Sequence, residues 1–175
     1  LTEMRAMMSK LKLTVNENKT RVCYLPEEKF DFLGYTFRPR RSKNRWGKFF
    51  INFTPAVCAD AMTKMRQEMR RWRLPLRSDK AIDDLARMWN PVLRGWIQYY
   101  GRFYPSALYP VFTHLNDLLV RWAMRKYKRL RRHHRRAAHW LVGVAGREPR
   151  LFAHWYLLGL RPGGRMLVGF HPVAG

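Results

Sequence analysis

Residues 90–104, NPVLRGWIQYYGRFY, combine an aromatic stripe with a row of polar and cationic side chains at helical spacing. The large apolar side chains recur every three or four residues and predict a buried helix face: Val92, Leu93, Trp96, Tyr99, Tyr100 and Phe103. On another face Arg94, Gln98 and Arg102 recur every four residues. Asn90 is suited to cap this helix and Pro91 to occupy its first position. Such a chain must bury one side of the helix and leave positive charge on the other.

The same pattern predicts three more helices. One follows the Thr54-Pro55 pair and runs to about Arg73, and a shorter one is capped by Ser78. Residues 110–132 predict the longest helix, whose most cationic face carries Arg121, Arg125, Lys128 and Arg132. The apolar stripes of these helices are expected in the core: Val57, Ala61, Met65, Met69 and Trp72; Ile82, Leu85, Ala86 and Trp89; Phe112, Leu115, Leu119, Trp122 and Leu130.

Strands are predicted before the helices. Residues 30–38 alternate apolar and polar side chains, with Gly34 permitting a bulge or a close approach of other backbone, and residues 49–53 form a second strand. We expect the two to pair as a hairpin whose tip is cationic around Trp46. From Ala137 onwards the chain is aromatic and glycine-rich, which predicts a small irregular tail. The expected fold class is therefore α+β, mostly α: an N-terminal β-hairpin, a helical bundle and the tail.

The charge balance indicates a polyanionic partner. Lys and Arg number 35 against 12 Asp and Glu, a formal net charge of +23, while 47% hydrophobic residues argue against disorder throughout. The cationic helix faces are nearly free of acids, unlike ordinary solvated faces, which mix both signs. Nucleic acid is the favoured partner. No apolar run approaches the ~20 residues needed to cross a bilayer. Cys23 and Cys58 are interpreted as buried thiols in a reducing, intracellular compartment.

Catalytic chemistry finds little support in the sequence. Asp83 and Asp84 are the adjacent acids that could hold Mg²⁺, but they fall in the first turn of a predicted helix, where acids favour the dipole. None of the six histidines has a partner at the spacing of a helical zinc pair. His133 and His134 lie in the arginine-rich run as RNA contacts or solvated groups, and His154 is interpreted as a packing residue. We therefore expect no catalytic residue, no metal ligand and no cofactor in this chain.

Two segments carry a family resemblance. FLGYTFRPR at residues 32–40 and NPVLRGWIQYY at residues 90–100 resemble group II intron-encoded proteins, the reverse transcriptase/maturase family. LKLTVNENKTRV at residues 11–22 resembles the end of that family's palm, and MRKYKRLRR at residues 124–132 resembles the basic helix that ends its thumb. The resemblance covers residues 1–136 and continues more weakly through residues 146–159.

The resemblance implies a division of the chain and a function. Residues 1–54 would be the end of the palm with its primer-gripping hairpin, residues 55–136 the thumb or maturase-specific domain, and residues 137–175 a C-terminal tail. In the family this region binds intron RNA, supports splicing and mobility, and holds the template–primer. The family's aromatic-x-Asp-Asp polymerase motif is absent here. The chain is thus expected to be no enzyme on its own, with Mg²⁺ needed only by a catalytic palm outside it.

The expected partner is group II intron RNA, with template–primer nucleic acid as a further possibility, no membrane, and a location in a bacterial cytoplasm or an organelle. Two alternatives stay open: a trimmed part of an active RNA-directed DNA polymerase whose catalytic residues lie upstream, and a degenerate remnant. Gly34 and Gly95 are expected to allow close backbone approach. The predicted RNA contacts, in order of preference, are Arg94, Gln98 and Arg102; Arg121, Arg125, Lys128 and Arg132; and Arg38, Arg40, Arg41, Lys43 and Arg45.

Overall fold

The computed structural model describes residues 2–14, 16, 20, 24 and 28–158. These residues are mostly helical with a small antiparallel strand region near the N-terminus, which confirms the predicted fold class. In chain order the elements are α1 (Thr2–Lys10), β1 (Phe30–Phe32), β2 (Tyr35–Phe37), β3 (Arg40–Lys43), β4 (Phe49–Asn52), β5 (Ala56–Val57), α2 (Ala59–Arg71), α3 (Ile82–Tyr100), α4 (Tyr109–Lys126), α5 (His134–Arg147) and α6 (Ala153–Leu157). Short 3₁₀ turns lie at Leu74–Leu76, Pro105–Leu108 and Lys128–Leu130.

The segment predicted as a single strand over residues 30–38 is itself a hairpin. β1 and β2 pair antiparallel with Phe32 opposite Tyr35, so only Leu33 and Gly34 form the loop. Both loop residues have positive φ, 49° and 81°. A two-residue hairpin loop needs positive φ at both positions if its twist is to match that of the strands. Gly34 is therefore a turn residue and not a bulge within a continuous strand.

The pairing predicted between residues 30–38 and 49–53 is also wrong. β4 pairs with β3, with Arg40 opposite Asn52 and Lys43 opposite Phe49. We call β3, β4 and the turn between them the basic hairpin, because the cationic tip predicted around Trp46 does form there. The Asn44 side chain shapes its turn by accepting hydrogen bonds from the backbone N–H groups of Trp46 (3.0 Å) and Lys48 (2.8 Å). β5 instead joins β2 and completes a three-stranded sheet in the order β1-β2-β5.

Helix α2 begins later than predicted. Thr54 and Pro55 lead into β5, and the cap is Cys58, whose Sγ accepts a hydrogen bond from the Ala61 N–H at 3.3 Å. Cys58 is buried, as predicted, whereas Cys23 lies outside the described residues. The apolar stripe predicted for this helix is confirmed, since all of its members are buried: Val57, Ala61, Met65, Met69 and Trp72.

Helix α3 is one continuous helix where the sequence predicts two. It begins at Ile82, where the Asp84 carboxylate accepts a hydrogen bond from the Ala81 N–H at 3.0 Å, and it continues through Asn90 and Pro91 to Tyr100. The predicted cap at Asn90 and the predicted helix start at Pro91 are therefore wrong. The Asn90 side chain is buried and forms hydrogen bonds with the backbone of Leu151 and Ala153. Local sequence spacing does not reveal such tertiary contacts.

Helix α4 lies at the centre of the core. Its predicted apolar residues are fully buried at Phe112, Leu115, Leu119 and Trp122, and the helix packs against α2 and α5. It ends at Lys126 and not at Arg132, because Tyr127 is extended (ψ 114°) and a 3₁₀ turn follows. At 18 residues it is one residue shorter than α3, so the prediction that it is the longest helix is wrong.

The residues after Ala137 are not an irregular tail as far as the structure describes them. Helix α5 buries Ala137, Leu141 and Val144 against the core, and the short α6 follows with Trp155 fully buried. The glycines at 143 and 146 favour irregular chain, but α5 runs through both of them and packs on α4. Its buried stripe is Ala137, Ala138, Leu141, Val144 and Ala145. The remainder of the predicted tail, residues 159–175, lies outside the described residues.

Candidate nucleic-acid interface

The first hairpin is locked onto the C-terminal end of α3. The Tyr35 hydroxyl donates a hydrogen bond to the Tyr99 carbonyl, and the Tyr99 hydroxyl donates to the Leu33 carbonyl at 2.9 Å. The Gly34 carbonyl accepts from the Cys58 N–H at 2.9 Å, and a Cβ at Gly34 would lie 3.0 Å from the Tyr100 ring. Close approach of backbone is predicted at Gly34, but the group that comes close to its Cβ position is the Tyr100 ring.

The aromatic stripe of α3 divides between core and surface. Trp96 stacks on Trp72, and Trp72 on Trp89, with ring planes within 10° and centroids 5.8 and 5.2 Å apart. Tyr99 and Phe103 are instead 47% and 50% exposed, so the prediction that they are buried is wrong. Their rings pack on Tyr35 of the first hairpin, β1–β2.

Four predicted contacts come together in one groove. Arg121 and Arg125 project from the last turns of α4, and Lys128 and Arg132 follow it. The extended Tyr127 and the positive φ of Arg132 (62°) redirect the chain there, so these cations surround a space instead of continuing along a helix face. The groove measures about 760 Å³. We call it the basic groove, and its lining is Pro75, Arg121, Met124, Arg125, Lys126, Lys128, Arg131 and Arg132.

Lys126 differs from the other cations of the basic groove because its ammonium group is already bonded. Its Nζ donates to the carbonyls of Ser78 (2.9 Å) and Lys80 (2.8 Å). Trp122 below it donates its indole N–H to the Arg77 carbonyl at 2.8 Å. These bonds tie the loop before α3 to α4 and fix one wall of the groove.

The remaining cations of the basic groove have no acidic partner among the described residues. Ion pairs occur elsewhere, joining Arg71 to Glu68 (3.2 Å) and Arg87 to Asp84 (2.8 Å). Arg121, Arg125, Lys128, Arg131 and Arg132 are all exposed and form no such pair within residues 28–158. The groove therefore presents uncompensated positive charge to a ligand.

The basic hairpin presents a second cationic surface, interleaved with aromatic rings. The Arg41 guanidinium lies 4.0 Å from the centre of the Phe49 ring, and that of Arg45 lies 4.2 Å from the Trp46 ring. Trp46 is 75% exposed. Arg38 and Lys43 are exposed as well, and Lys43 shares the Phe49 ring with Arg41. Flat exposed rings beside cations are the combination that stacks bases and neutralises phosphates.

Arg40 is the member of the basic hairpin with a structural role. It is half-buried, its Nε donates to the Thr54 carbonyl at 3.0 Å, and its guanidinium lies 5.2 Å from the Tyr104 ring. Burial, followed by the nearby charge of Arg38, lowers the pKa of Arg40. Its predicted role as an RNA contact is accordingly the weakest within this hairpin.

Arg94, Gln98 and Arg102, the most favoured contacts, are exposed but do not share one site. Arg94 and Gln98 line a groove of about 520 Å³ between α3 and α6, whereas Arg102 lies beyond it, with its guanidinium 5.8 Å from the Phe103 ring. We call this space the α3–α6 groove, and its lining is Arg94, Ile97, Gln98, Arg150, Phe152, Ala153 and Tyr156. Arg150 and Tyr156 were not predicted as site residues. The five-residue α6 is too short for periodicity to mark its faces.

Two buried asparagines hold α6 against the bundle. Asn90 of α3 donates to the Leu151 carbonyl at 2.8 Å and accepts from the Ala153 N–H at 2.9 Å. Asn116 Oδ1 of α4 accepts from the Trp155 indole at 3.0 Å and lies 2.9 Å from Nε2 of His154. Full burial lowers the pKa of His154 to about 3, so the ring is neutral at physiological pH. This confirms that His154 is a packing residue.

The structure also bears on metal binding, on membrane insertion and on the roles of Asp84, His133 and His134. The described residues contain no cluster of three or more histidines, cysteines or acids able to hold a metal ion. No helix among them is both long and apolar enough to span a membrane. Asp84 serves the helix start and the ion pair with Arg87, which supports its structural interpretation. His133 and His134 are exposed beside the arginine run.

Comparison with known families identifies the helical part of the chain. Residues 62–140 match the family model described as "Group II intron, maturase-specific domain". The match spans most of α2, all of α3 and α4 and half of α5, and it includes the whole basic groove. No curated protein and no solved structure gives a significant match. A maturase-specific domain is not itself a catalytic polymerase domain, and it implies a role in group II intron splicing. The predicted resemblance is thereby confirmed over residues 62–140, which match a group II intron maturase-specific domain.

Proposed function

We propose that the chain binds group II intron RNA through the basic groove and supports splicing of that RNA without catalysing a reaction itself. The observation that carries the proposal is the convergence of Arg121, Arg125, Lys128, Arg131 and Arg132 on one groove with no acidic partner among the described residues. Cations placed in this way neutralise phosphates and release counterions from the RNA.

The concave shape of the groove favours binding of structured RNA over non-specific attraction of any polyanion. Three of its five free cations follow the end of α4, in a 3₁₀ turn and the segment after it, so they point around a concavity instead of along a line. Phosphates that come close together in a folded RNA fit such a concavity. The exposed rings and cations of the basic hairpin add a second contact surface outside the matched domain.

Charge reversal tests the proposal. Arg125→Glu should weaken binding to a group II intron RNA about tenfold or more, because a phosphate contact is lost and a repulsive charge is added. Arg147→Glu makes the same change of net charge at an exposed arginine of α5 that lines neither groove. It should weaken binding far less. Filter binding at fixed salt measures both, and circular dichroism verifies that helix content is unchanged. Equal losses for the two variants would contradict a groove-specific site.

A further inference from the structure

The α3–α6 groove differs in chemistry from the basic groove. Two guanidinium groups, Arg94 and Arg150, stand at it together with the Gln98 amide and the phenol ring of Tyr156. The half-buried Ile97 and Ala153 supply apolar surface. A ligand that satisfies all of these groups needs a negative charge, a flat ring and hydrogen-bonding edges on that ring. A nucleotide has all three.

The groups of this groove are free to bind. Arg94, Gln98, Arg150 and Tyr156 are exposed, and none of them has an ion pair or a side-chain hydrogen bond within residues 28–158. Tyr156 is 72% exposed, whereas its neighbour Trp155 on α6 is fully buried. The ring therefore contributes little to packing and is available for stacking.

The groove is also preformed. Its α6 wall is held by buried bonds from Asn90 to Leu151 and Ala153 and from Asn116 to Trp155. These bonds hold the α6 segment against α3 and α4 before any ligand arrives, so little ordering is needed on binding. A short five-residue helix without them would not hold Tyr156 in a defined place.

We propose that the α3–α6 groove binds an unpaired nucleotide of the RNA, with Tyr156 stacked on the base, Arg94 and Arg150 contacting phosphate, and Gln98 bonding a base edge. This proposal rests on the proposed function, because it assigns a specific subsite to the same RNA partner. Unpaired bases are favoured over duplex, since only a splayed base exposes its face to a tyrosine ring and its edge to an amide.

The test uses the full chain and a single-stranded RNA of about eight nucleotides, alongside the same backbone carrying abasic ribose at every position. Tyr156→Ala should weaken binding of the base-containing RNA about tenfold, and Tyr156→Phe should retain it, because the aromatic face is kept. Neither change should alter binding of the abasic strand, which offers nothing to stack. Arg150→Gln should weaken binding of both strands.

Two results would overturn the subsite. Tyr156→Ala could leave binding of the base-containing RNA unchanged, or it could weaken the abasic strand equally. An unchanged unfolding midpoint for Tyr156→Ala verifies that the exposed ring is not structural. Binding of intron RNA by the Arg125→Glu variant, measured in parallel, separates the two proposals. If Arg125→Glu weakens binding and Tyr156→Ala does not, the subsite alone fails. If the unmodified chain does not bind intron RNA, both the proposed function and the subsite fail.

Discussion

Three buried polar side chains, Asn90, Asn116 and His154, all serve one small helix. Buried amides are costly unless every donor and acceptor is satisfied. Asn90 satisfies both ends of its amide on the α6 segment, and Asn116 Oδ1 serves two ring N–H groups at once. His154 completes the network with Nε2, which carries the proton because Asn116 Oδ1 can only accept, while its Nδ1 is buried without a partner. The ring can remain in place only while it is neutral.

The His154 ring makes stability depend on pH. The folded-state pKa of about 3 lies below the ordinary value near 6.5, so below about pH 6.5 the unfolded chain takes up a proton that the folded chain refuses. This ring should therefore make the free energy of unfolding fall on acidification, by about 1 kcal/mol per pH unit between about pH 6 and about pH 4. Urea unfolding across that range measures it. His154→Gln, which cannot titrate, should be less stable at neutral pH but show a shallower slope. An unchanged slope would contradict the assignment.

At the scale of elements, the amphipathic faces were predictable and the ends of elements were not. Met65, Met69, Leu119 and Trp122 are buried as their spacing indicated, because burial of a helix face depends on local periodicity. The Asn90-Pro91 pair has the chemistry of a helix start but lies inside α3. Proline in a helix interior costs about 3 kcal/mol, yet the packing of α3 and the bonds of Asn90 to α6 keep the helix continuous. Such distant contacts are absent from any local pattern.

Distant contacts also determine the parts of the candidate site that could not be predicted from the sequence. Arg121, Arg125, Lys128 and Arg132 were grouped correctly, but as a helix face; the break at Tyr127 that turns this face into a groove left no local signal. Arg94 and Gln98 were predicted, whereas Arg150 and Tyr156 were missed because they meet α3 only through the tertiary bonds of α6. The pairing of the basic hairpin was missed because Gly34 was interpreted as a bulge when it is the turn itself.

Substitution of Gly95 tests whether the exposed face of α3 contacts RNA. A Cβ at this position would meet no atom within 4 Å, so nothing within the described structure explains a glycine there. Gly95→Ala should stabilise the fold by about 1 kcal/mol, through the better helix propensity of alanine. If this face approaches RNA backbone closely, the same change should weaken RNA binding. Thermal unfolding and filter binding on one preparation give both values.

Gly143→Ala is the matched control. Gly143 also lies inside a helix, and its Cβ would make only an ordinary contact, 3.6 Å from Arg147. This variant should gain stability in the same way and leave RNA affinity unchanged. Weakened binding by Gly95→Ala alone would support contact between α3 and the RNA. Unchanged binding by both variants would mean that Gly95 is not part of the RNA-binding face.

At the scale of the whole molecule, the net charge of +23 and the match to a maturase-specific domain both support the proposal that the chain binds RNA. A folded chain with 35 basic and 12 acidic side chains repels itself, and a polyanion relieves that repulsion. General electrostatic attraction alone would favour any RNA equally. A maturase-specific domain should in addition prefer its folded intron, because the basic groove and the α3–α6 groove have fixed positions on one helical bundle.

The most direct measurement of the central claim is the salt dependence of binding to a group II intron RNA and to an unstructured RNA of matched length. We predict that the logarithm of the binding constant falls steeply and linearly with the logarithm of salt concentration for both RNAs, by about 0.7 to 0.9 per phosphate neutralised. We also predict that the intron RNA keeps an advantage at high salt, where non-specific attraction is screened. Equal affinities for the two RNAs at every salt concentration would contradict specific recognition of the intron.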